Sequence, residues 1–345
     1  MEEPESTKEL AARVATDAGG AFASGLAYLG DRLGLFRALA EAPATADELA
    51  QSTGLTPRYV LEWLKGMTAS RYVEFDGERF SMTPAQRAVL AEEGGPAFAA
   101  AQFQFAVASL LHTPRIGAVF QEGGGVPFDE LGAEVSESID RMHAPAFAHA
   151  LVDAWLPGVP GLVERLETGA RVLDIGCGLG RSVRALAEAY PRVRITALEP
   201  DPASLAGAQE LCAGQDNVEF TAATLRELDV SERFDVLLAF DVVHDLAEPV
   251  QELRAARELL ADDGMFLIVE PTGSTDPREN RNPAGRLRAC LSPFHCLTVS
   301  LAQGGAGLGT ILGEAGIRRL ADEAGLSIEA LPIENPLQQF FLARR

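Results

Sequence analysis

Residues 172–180 decide the fold; they read Val-Leu-Asp-Ile-Gly-Cys-Gly-Leu-Gly. An apolar strand runs into a glycine-rich turn, and Val183, Leu186 and Ala187 then follow at helical spacing. Glycines allow backbone amides to approach a ligand without interference from a Cβ atom. The stretch therefore predicts a ligand-binding turn between a strand and a helix.

The rest of the C-terminal half extends this pattern. Short apolar segments alternate with helical ones, which is typical of a parallel sheet. The predicted strands are 171–175, 194–199, 218–221, 234–239 and 265–270, and 337–342 is expected to add an edge strand. The sequence therefore predicts an α/β domain with a Rossmann-like sheet over residues 165–345.

Two acidic residues indicate the ligand. Glu199 ends the second strand, 19 residues after Gly180, where a carboxylate can accept hydrogen bonds from both ribose hydroxyls. Asp174 precedes the first glycine; it would repel a pyrophosphate but suits a cationic sulfonium amino acid. The predicted cofactor is S-adenosyl-L-methionine. Its predicted binding residues are Asp174, Gly176, Cys177, Gly178, Gly180, Glu199, Pro200, Ala223, Thr224, Leu225, Phe240 and Asp241.

The N-terminal part has a different organisation. Within residues 20–92, Thr45 can cap one helix and Thr56-Pro57 can open a second. The Asp76-Gly77 pair then predicts a hairpin turn. Helix, turn, helix and hairpin indicate a winged helix. Residues 93–164 are rich in apolar helical segments and are interpreted as a helical linker and cap.

These features together resemble class I S-adenosylmethionine-dependent methyltransferases, in particular a bacterial subfamily with an N-terminal winged helix, best known from mycobacteria. Supporting segments are 155–169, 240–249, Glu270-Pro271, 282–286 and 300–309. The resemblance implies a helical cap over the active site, a homodimer formed through the N-terminal region, and small-molecule O-methylation in secondary metabolism. Many such enzymes have an acidic residue after the third strand; here Thr224 or a backbone carbonyl must accept from adenine, at a cost of about 1 kcal/mol.

The candidate catalytic residues are His244 and Asp245, which follow the fourth strand. A histidine suits the removal of a proton from an acceptor hydroxyl. Plant-type O-methyltransferases have a similar His-Asp pair, in which the histidine is the base. The alternative is that His244 only packs, and Asp245 either orients the imidazole or caps the following helix.

Candidate substrate contacts are less specific. They are Phe103, His149, Trp155, Asn282 and His295, each of which can instead serve packing or bracing. His143 and His149 are six residues apart rather than four, so no metal site is predicted.

Composition limits the class of partner. The chain has 345 residues, 50 acidic and 29 basic, and a formal net charge of −21. Such a charge disfavours nucleic acid and anionic membranes. The predicted location is the cytoplasm. Two alternative functions remain. One is a winged-helix regulator that senses the cofactor; residues 20–92 contain seven basic and nine acidic residues, which is unfavourable for DNA binding. The other is an enzyme that uses the cofactor for cyclisation or decarboxylation.

Overall fold

The computed structural model describes residues 5–228 and 233–345. They divide into two compact units, one formed by residues 5–111 and 133–145, the other by residues 112–132 and 146–345. The predicted cap segment, 93–164, is thus shared between the units. The helices are α1 (Thr7–Arg32), α2 (Leu35–Glu41), α3 (Ala46–Thr53), α4 (Pro57–Ala69), α5 (Pro84–Leu90), α6 (Ala101–Leu110), α7 (Thr113–Glu122), α8 (Phe128–Leu131), α9 (Ala133–His149), α10 (Leu162–Glu167), α11 (Arg181–Ala189), α12 (Pro202–Leu211), α13 (Pro249–Leu259), α14 (Pro283–Leu291), α15 (Cys296–Ala302) and α16 (Gly313–Ala324). The strands are β1 (Glu74–Phe75), β2 (Phe80–Ser81), β3 (Arg171–Ile175), β4 (Arg194–Leu198), β5 (Val218–Thr221), β6 (Phe234–Phe240), β7 (Leu260–Pro271), β8 (Ser327–Leu331) and β9 (Gln338–Arg344).

The first unit contains the predicted winged helix. Thr45 and Glu48 form a capping box at the start of α3, and Pro57 occupies the first turn of α4. β1 and β2 pair in antiparallel fashion around the predicted turn. The core of this unit includes Phe36 and Trp63, whose rings meet edge to face with centroids 5.0 Å apart.

The second unit is built on one sheet, with seven strands among the described residues in the order β5-β4-β3-β6-β7-β9-β8. The strands from β5 to β7 are parallel, and β9 is antiparallel to both β7 and β8. Successive side chains point to opposite faces of a strand. Val172 and Leu173 accordingly belong to different hydrophobic clusters, one on each face of the sheet.

One strand position differs from the sequence prediction. The predicted edge strand, 337–342, is β9 and lies between β7 and β8, so its edge position is wrong. Residues Ser327–Leu331 form the edge instead; they are largely exposed and lack the apolar run by which the other strands were found. β9 itself is buried from Phe340 to Ala343, as a strand with neighbours on both sides should be.

The sheet order places a ligand site. The chain moves from β3 to β4 on one side, and β6 lies on the other side of β3. Ligands of such sheets bind at the carboxyl ends of the strands where the direction of winding reverses. Among the described helices, none combines the length and hydrophobicity that a membrane crossing needs.

Candidate active site

The glycine-rich turn leads from β3 into α11 at this position. Gly176, Gly178 and Gly180 have φ values of 67°, 55° and 83°. A Cβ on Gly176 would lie 2.9 Å from the Val242 side chain, and one on Gly180 would lie 2.9 Å from the Ala208 side chain. A Cβ on Gly178 would meet nothing within 4 Å. The turn is therefore tightly packed at both ends and open at Gly178.

Asp174 is fully buried beneath this turn. Its Oδ2 accepts a hydrogen bond from the Ser182 hydroxyl at 2.6 Å, while Oδ1 receives none from the described residues. Burial raises the pKa of Asp174 to about 7; the Ser182 hydrogen bond opposes this shift and the charge of Glu199 adds to it. A buried carboxylate oxygen without a donor fits a cationic ligand group.

Glu199 follows β4 directly and is held by two backbone amides. The Gly178 amide donates to Oε2 and the Asp201 amide to Oε1, both at 2.9 Å. Burial raises the pKa of Glu199, and the two amide hydrogen bonds work against that. A carboxylate has about four acceptor positions, so capacity for two hydroxyl groups remains. This arrangement fits the vicinal hydroxyls of a ribose.

Other predicted cofactor residues follow the neighbouring strands. Pro200 is exposed after Glu199, Cys177 is buried in the turn, and burial raises the pKa of its thiol. Ala223 and Leu225 are buried after β5. Between them, the Thr224 hydroxyl donates to Glu227 at 3.1 Å and keeps its own acceptor capacity.

The end of β6 combines an aromatic contact with an unusual backbone. The Phe240 ring centroid lies 5.5 Å from that of Phe147 and 6.2 Å from that of Trp155. Asp241 has a φ of 56°, which is uncommon outside glycine. Its Oδ2 accepts a hydrogen bond from the Gln338 amide at 3.0 Å. Strained residues of this kind cluster at functional sites.

His244 lies in the short turn after β6 and is paired with a residue that the sequence analysis did not assign. Its Nδ1 donates to Oε2 of Glu270 at 2.7 Å, and its Nε2 lies 3.4 Å from Oδ1 of Asp245. Glu270 is fully buried, and its Oε1 accepts the Val243 amide at 2.8 Å. Burial disfavours the imidazolium, but the Asp245 and Glu270 carboxylates outweigh it and hold the pKa of His244 well above its ordinary value.

Glu270 ends β7, the parallel neighbour of β6. Residues at the carboxyl ends of adjacent parallel strands lie at one edge of the sheet, which is the signal that could have found this pair. Cys296, likewise not assigned, has its thiol near the His244 imidazole and the Asp245 carboxylate.

The candidate substrate residues are spread more widely. Phe103 packs in the first unit, with its ring centroid 5.5 Å from that of Tyr72. Trp155 is buried against Phe340, at 5.3 Å between centroids. His149 is exposed at the end of α9. Asn282 caps α14 by accepting a hydrogen bond from the Gly285 amide. The His295 ring packs edge to face against Phe128. A substrate role for these five residues stays a prediction.

Two protein-family models match the chain, one in each of the two units. A methyltransferase-domain family model matches residues 173–266, and an Rv2258c-like winged helix-turn-helix model matches residues 21–91. The chain thus combines a segment similar to methyltransferase domains with an N-terminal segment similar to a winged helix-turn-helix domain. The methyltransferase-domain match contains the turn, Glu199 and His244, and it stops four residues before Glu270.

Two curated relatives match different shares of this chain. The ubiquinone biosynthesis O-methyltransferase of Bradyrhizobium sp. (strain ORS 278) is 29% identical over 29% of this chain, and the match spans 40% of that protein's length. The mitomycin biosynthesis 6-O-methyltransferase of Streptomyces lavendulae is 26% identical over 73% of this chain and 74% of its own.

Solved structures are similar to the chain over nearly its full length. The mitomycin 7-O-methyltransferase MmcR has a TM-score of 0.72 at 20% identity and covers 97% of this chain and 99% of its own. Human N-acetylserotonin methyltransferase in complex with S-adenosylmethionine has a TM-score of 0.69 at 18% identity, covering 100% and 99%. At these identities the likeness shows the fold.

Proposed function

We propose that this chain transfers a methyl group from S-adenosylmethionine to an oxygen atom of a small-molecule acceptor in secondary metabolism. The observation that carries the proposal is the Glu199 carboxylate, anchored by two amides beside the open Gly178. The similarity to O-methyltransferases of mitomycin biosynthesis supports an oxygen acceptor.

The turn and Glu199 bind the cofactor. Glu199 accepts from the ribose hydroxyls, Gly178 leaves room for close approach, and Asp174 faces the cationic amino-acid end with its free Oδ1. Ala223, Thr224 and Leu225 flank the adenine. When bound, S-adenosylmethionine supplies a methyl group on a sulfonium whose leaving group is a neutral thioether.

His244 removes the acceptor's proton after giving up the proton that the neighbouring carboxylates hold on it, since they keep its pKa well above the ordinary value. Displacement at the methyl carbon leaves the attacking hydroxyl with a proton to lose, and an aligned base removes it. Glu270 accepts from Nδ1 and thereby fixes the ring and directs Nε2 towards the acceptor. Asp245, 3.4 Å from Nε2, orients the imidazole from the other side.

The winged helix serves association of two copies rather than nucleic-acid recognition. Arg58 and Lys65 of α4 both form ion pairs with Glu62, so the cations of this helix are largely neutralised locally. On α1, Val14 and Phe22 are 61% and 80% exposed, which suits a partner surface. We expect a bacterial, cytoplasmic homodimer, and a monomeric mass by light scattering would contradict the dimer.

Calorimetric titration with S-adenosylmethionine tests the cofactor site. Glu199→Ala removes charged hydrogen bonds worth about 1.5–3 kcal/mol, so affinity should fall by roughly ten- to a hundredfold. The matched control is Glu219→Ala, which removes an exposed carboxylate from β5 and should bind as the wild type does. Equal affinity for the two variants would refute the ribose assignment.

Product mass tests the reaction itself. Acceptors with free hydroxyl groups are incubated with protein and S-adenosylmethionine, and the product should gain one methyl group. A product without that gain would indicate cyclisation or decarboxylation instead.

A further inference from the structure

We propose that His244, Asp245 and Cys296 form a binding site for a Zn²⁺ ion. Each residue offers one ligand atom, and the three atoms lie within 4.8 Å of one another. The histidine spacing in the sequence predicts no metal site, and spacing does not indicate this one because a long stretch of chain separates Cys296 from the His244-Asp245 pair. The fold places the turn after β6 beside the start of α15.

The distances suit a tetrahedral ion. Zinc ligands at about 2.0–2.1 Å and a tetrahedral angle are separated by roughly 3.3 Å. Nε2 of His244 and Oδ1 of Asp245 are 3.4 Å apart. The Cys296 sulfur lies within 4.8 Å of both atoms and moves closer to complete three protein ligands. The fourth position stays open, as in zinc sites that bind an exchangeable ligand.

The outer contacts are those of a metal site. A zinc-bound histidine usually donates its other ring N–H to a carboxylate, which fixes the ring. Glu270 does this for His244 at 2.7 Å. On the other side, the Thr310 hydroxyl donates to the Cys296 sulfur at 3.0 Å, an interaction that suits a thiolate.

The charges around the three residues also favour a bound cation. In the described residues, the carboxylates of Asp245 and Glu270 both have their ion pairs with His244. Oδ1 of Asp245 is buried and receives no hydrogen bond from the described residues. A divalent cation at this point satisfies that oxygen and offsets two of the three negative charges carried by Asp245, Glu270 and the Cys296 thiolate. Nitrogen, sulfur and oxygen donors together select Zn²⁺ over Mg²⁺ or Ca²⁺.

Occupancy has a consequence for the reaction, which rests on the proposed function. Nε2 of His244 has one lone pair and holds either the metal or the acceptor's proton. Bound Zn²⁺ therefore blocks proton removal, and a chelator restores it. The binding itself does not depend on the methyl-transfer proposal.

Metal content tests the site directly. The full chain is treated with a chelator, dialysed and titrated with Zn²⁺ alone, and bound metal is measured by mass spectrometry. The wild type should retain one equivalent, and Glu270→Gln should weaken binding about 10–100-fold. Cys296→Ser should weaken binding more, whereas Cys290→Ser, which changes an exposed cysteine on α14, should not. Co²⁺ should give a thiolate charge-transfer band that Cys296→Ser abolishes.

Two outcomes overturn the proposal: no retained metal in the wild type, or equal retention by Cys296→Ser and the wild type. S-adenosylmethionine binding, measured on the same samples, shows that each variant is folded. Cofactor binding without zinc would remove this inference and leave the methyltransferase proposal intact. Zinc binding without cofactor binding would do the reverse.

Discussion

Along the carboxyl edge of the sheet, Glu199 in the half at β3 and β4 is held by backbone amides, whereas His244 in the half at β6 and β7 is held by the Glu270 side chain. Glu199 receives two amide hydrogen bonds, one from Asp201, two residues away, and one from Gly178, 21 residues away in the glycine-rich turn. His244 depends on Glu270, 26 residues away. Both contacts join the ends of neighbouring strands, but the first depends on backbone amides of a recognisable motif, whereas the second depends on two particular side chains.

This difference predicts that the buried Glu270–His244 pair contributes more to stability than a surface ion pair does. Glu270→Ala leaves a buried imidazole and the Val243 amide without their acceptor, and breaking such a buried pair costs about 3–5 kcal/mol. Urea unfolding should show this loss. The control is Asp276→Ala, which removes a solvent-screened ion pair with the 81%-exposed Arg278 and should change stability far less. Similar losses in both variants would mean that the β6–β7 pair is no more structural than a surface pair.

How much the sequence predicts follows the same division. The Arg171–Ile175 and Val218–Thr221 strands have the predicted bounds, because short apolar runs bounded by turn residues are local signals. The turn and Glu199 are also placed by spacing alone. Glu270 and Cys296 were not assigned, because no spacing along the chain shows which strand ends lie together. β8 was missed because its exposed, alternating residues carry no apolar run.

Within the cofactor half, the glycines separate packing from ligand binding. Gly178→Ala and Gly180→Ala both place a side chain at positive φ, which costs about 1–2 kcal/mol. Only the new Cβ of Gly180→Ala meets the Ala208 side chain, at 2.9 Å. Overpacking should therefore add about 1–3 kcal/mol to the loss of unfolding free energy in this variant. Relative to its loss of unfolding free energy, Gly178→Ala should lose more cofactor affinity than Gly180→Ala does. Its methyl group enters the open space beside the turn, where the cofactor is proposed to bind. Equal stability of the two variants would contradict the packing role of Gly180.

The smallest expected effect is a pH dependence that belongs to the cofactor half. Burial raises the pKa of Asp174 to about 7, so its carboxyl group is largely protonated at pH 6 and ionised at pH 8. A raised carboxyl pKa means that the folded protein without ligand holds this proton and loses stability as the pH rises towards 7. A cationic ligand needs the ionised form and has the opposite dependence.

Affinity for S-adenosylmethionine should therefore rise about tenfold from pH 6 to pH 8, the change in the ionised fraction of a group with pKa 7. Calorimetry at both pH values measures it, and Asp174→Asn should remove the dependence while Ser182 still donates to the remaining side-chain oxygen. A wild type whose affinity is flat across this range would place the cationic end of the cofactor away from Asp174. The Asp174 carboxylate would then only stabilise the glycine-rich turn, through its hydrogen bond with Ser182. The buried polar groups of both halves of the edge would then make their contacts within the protein.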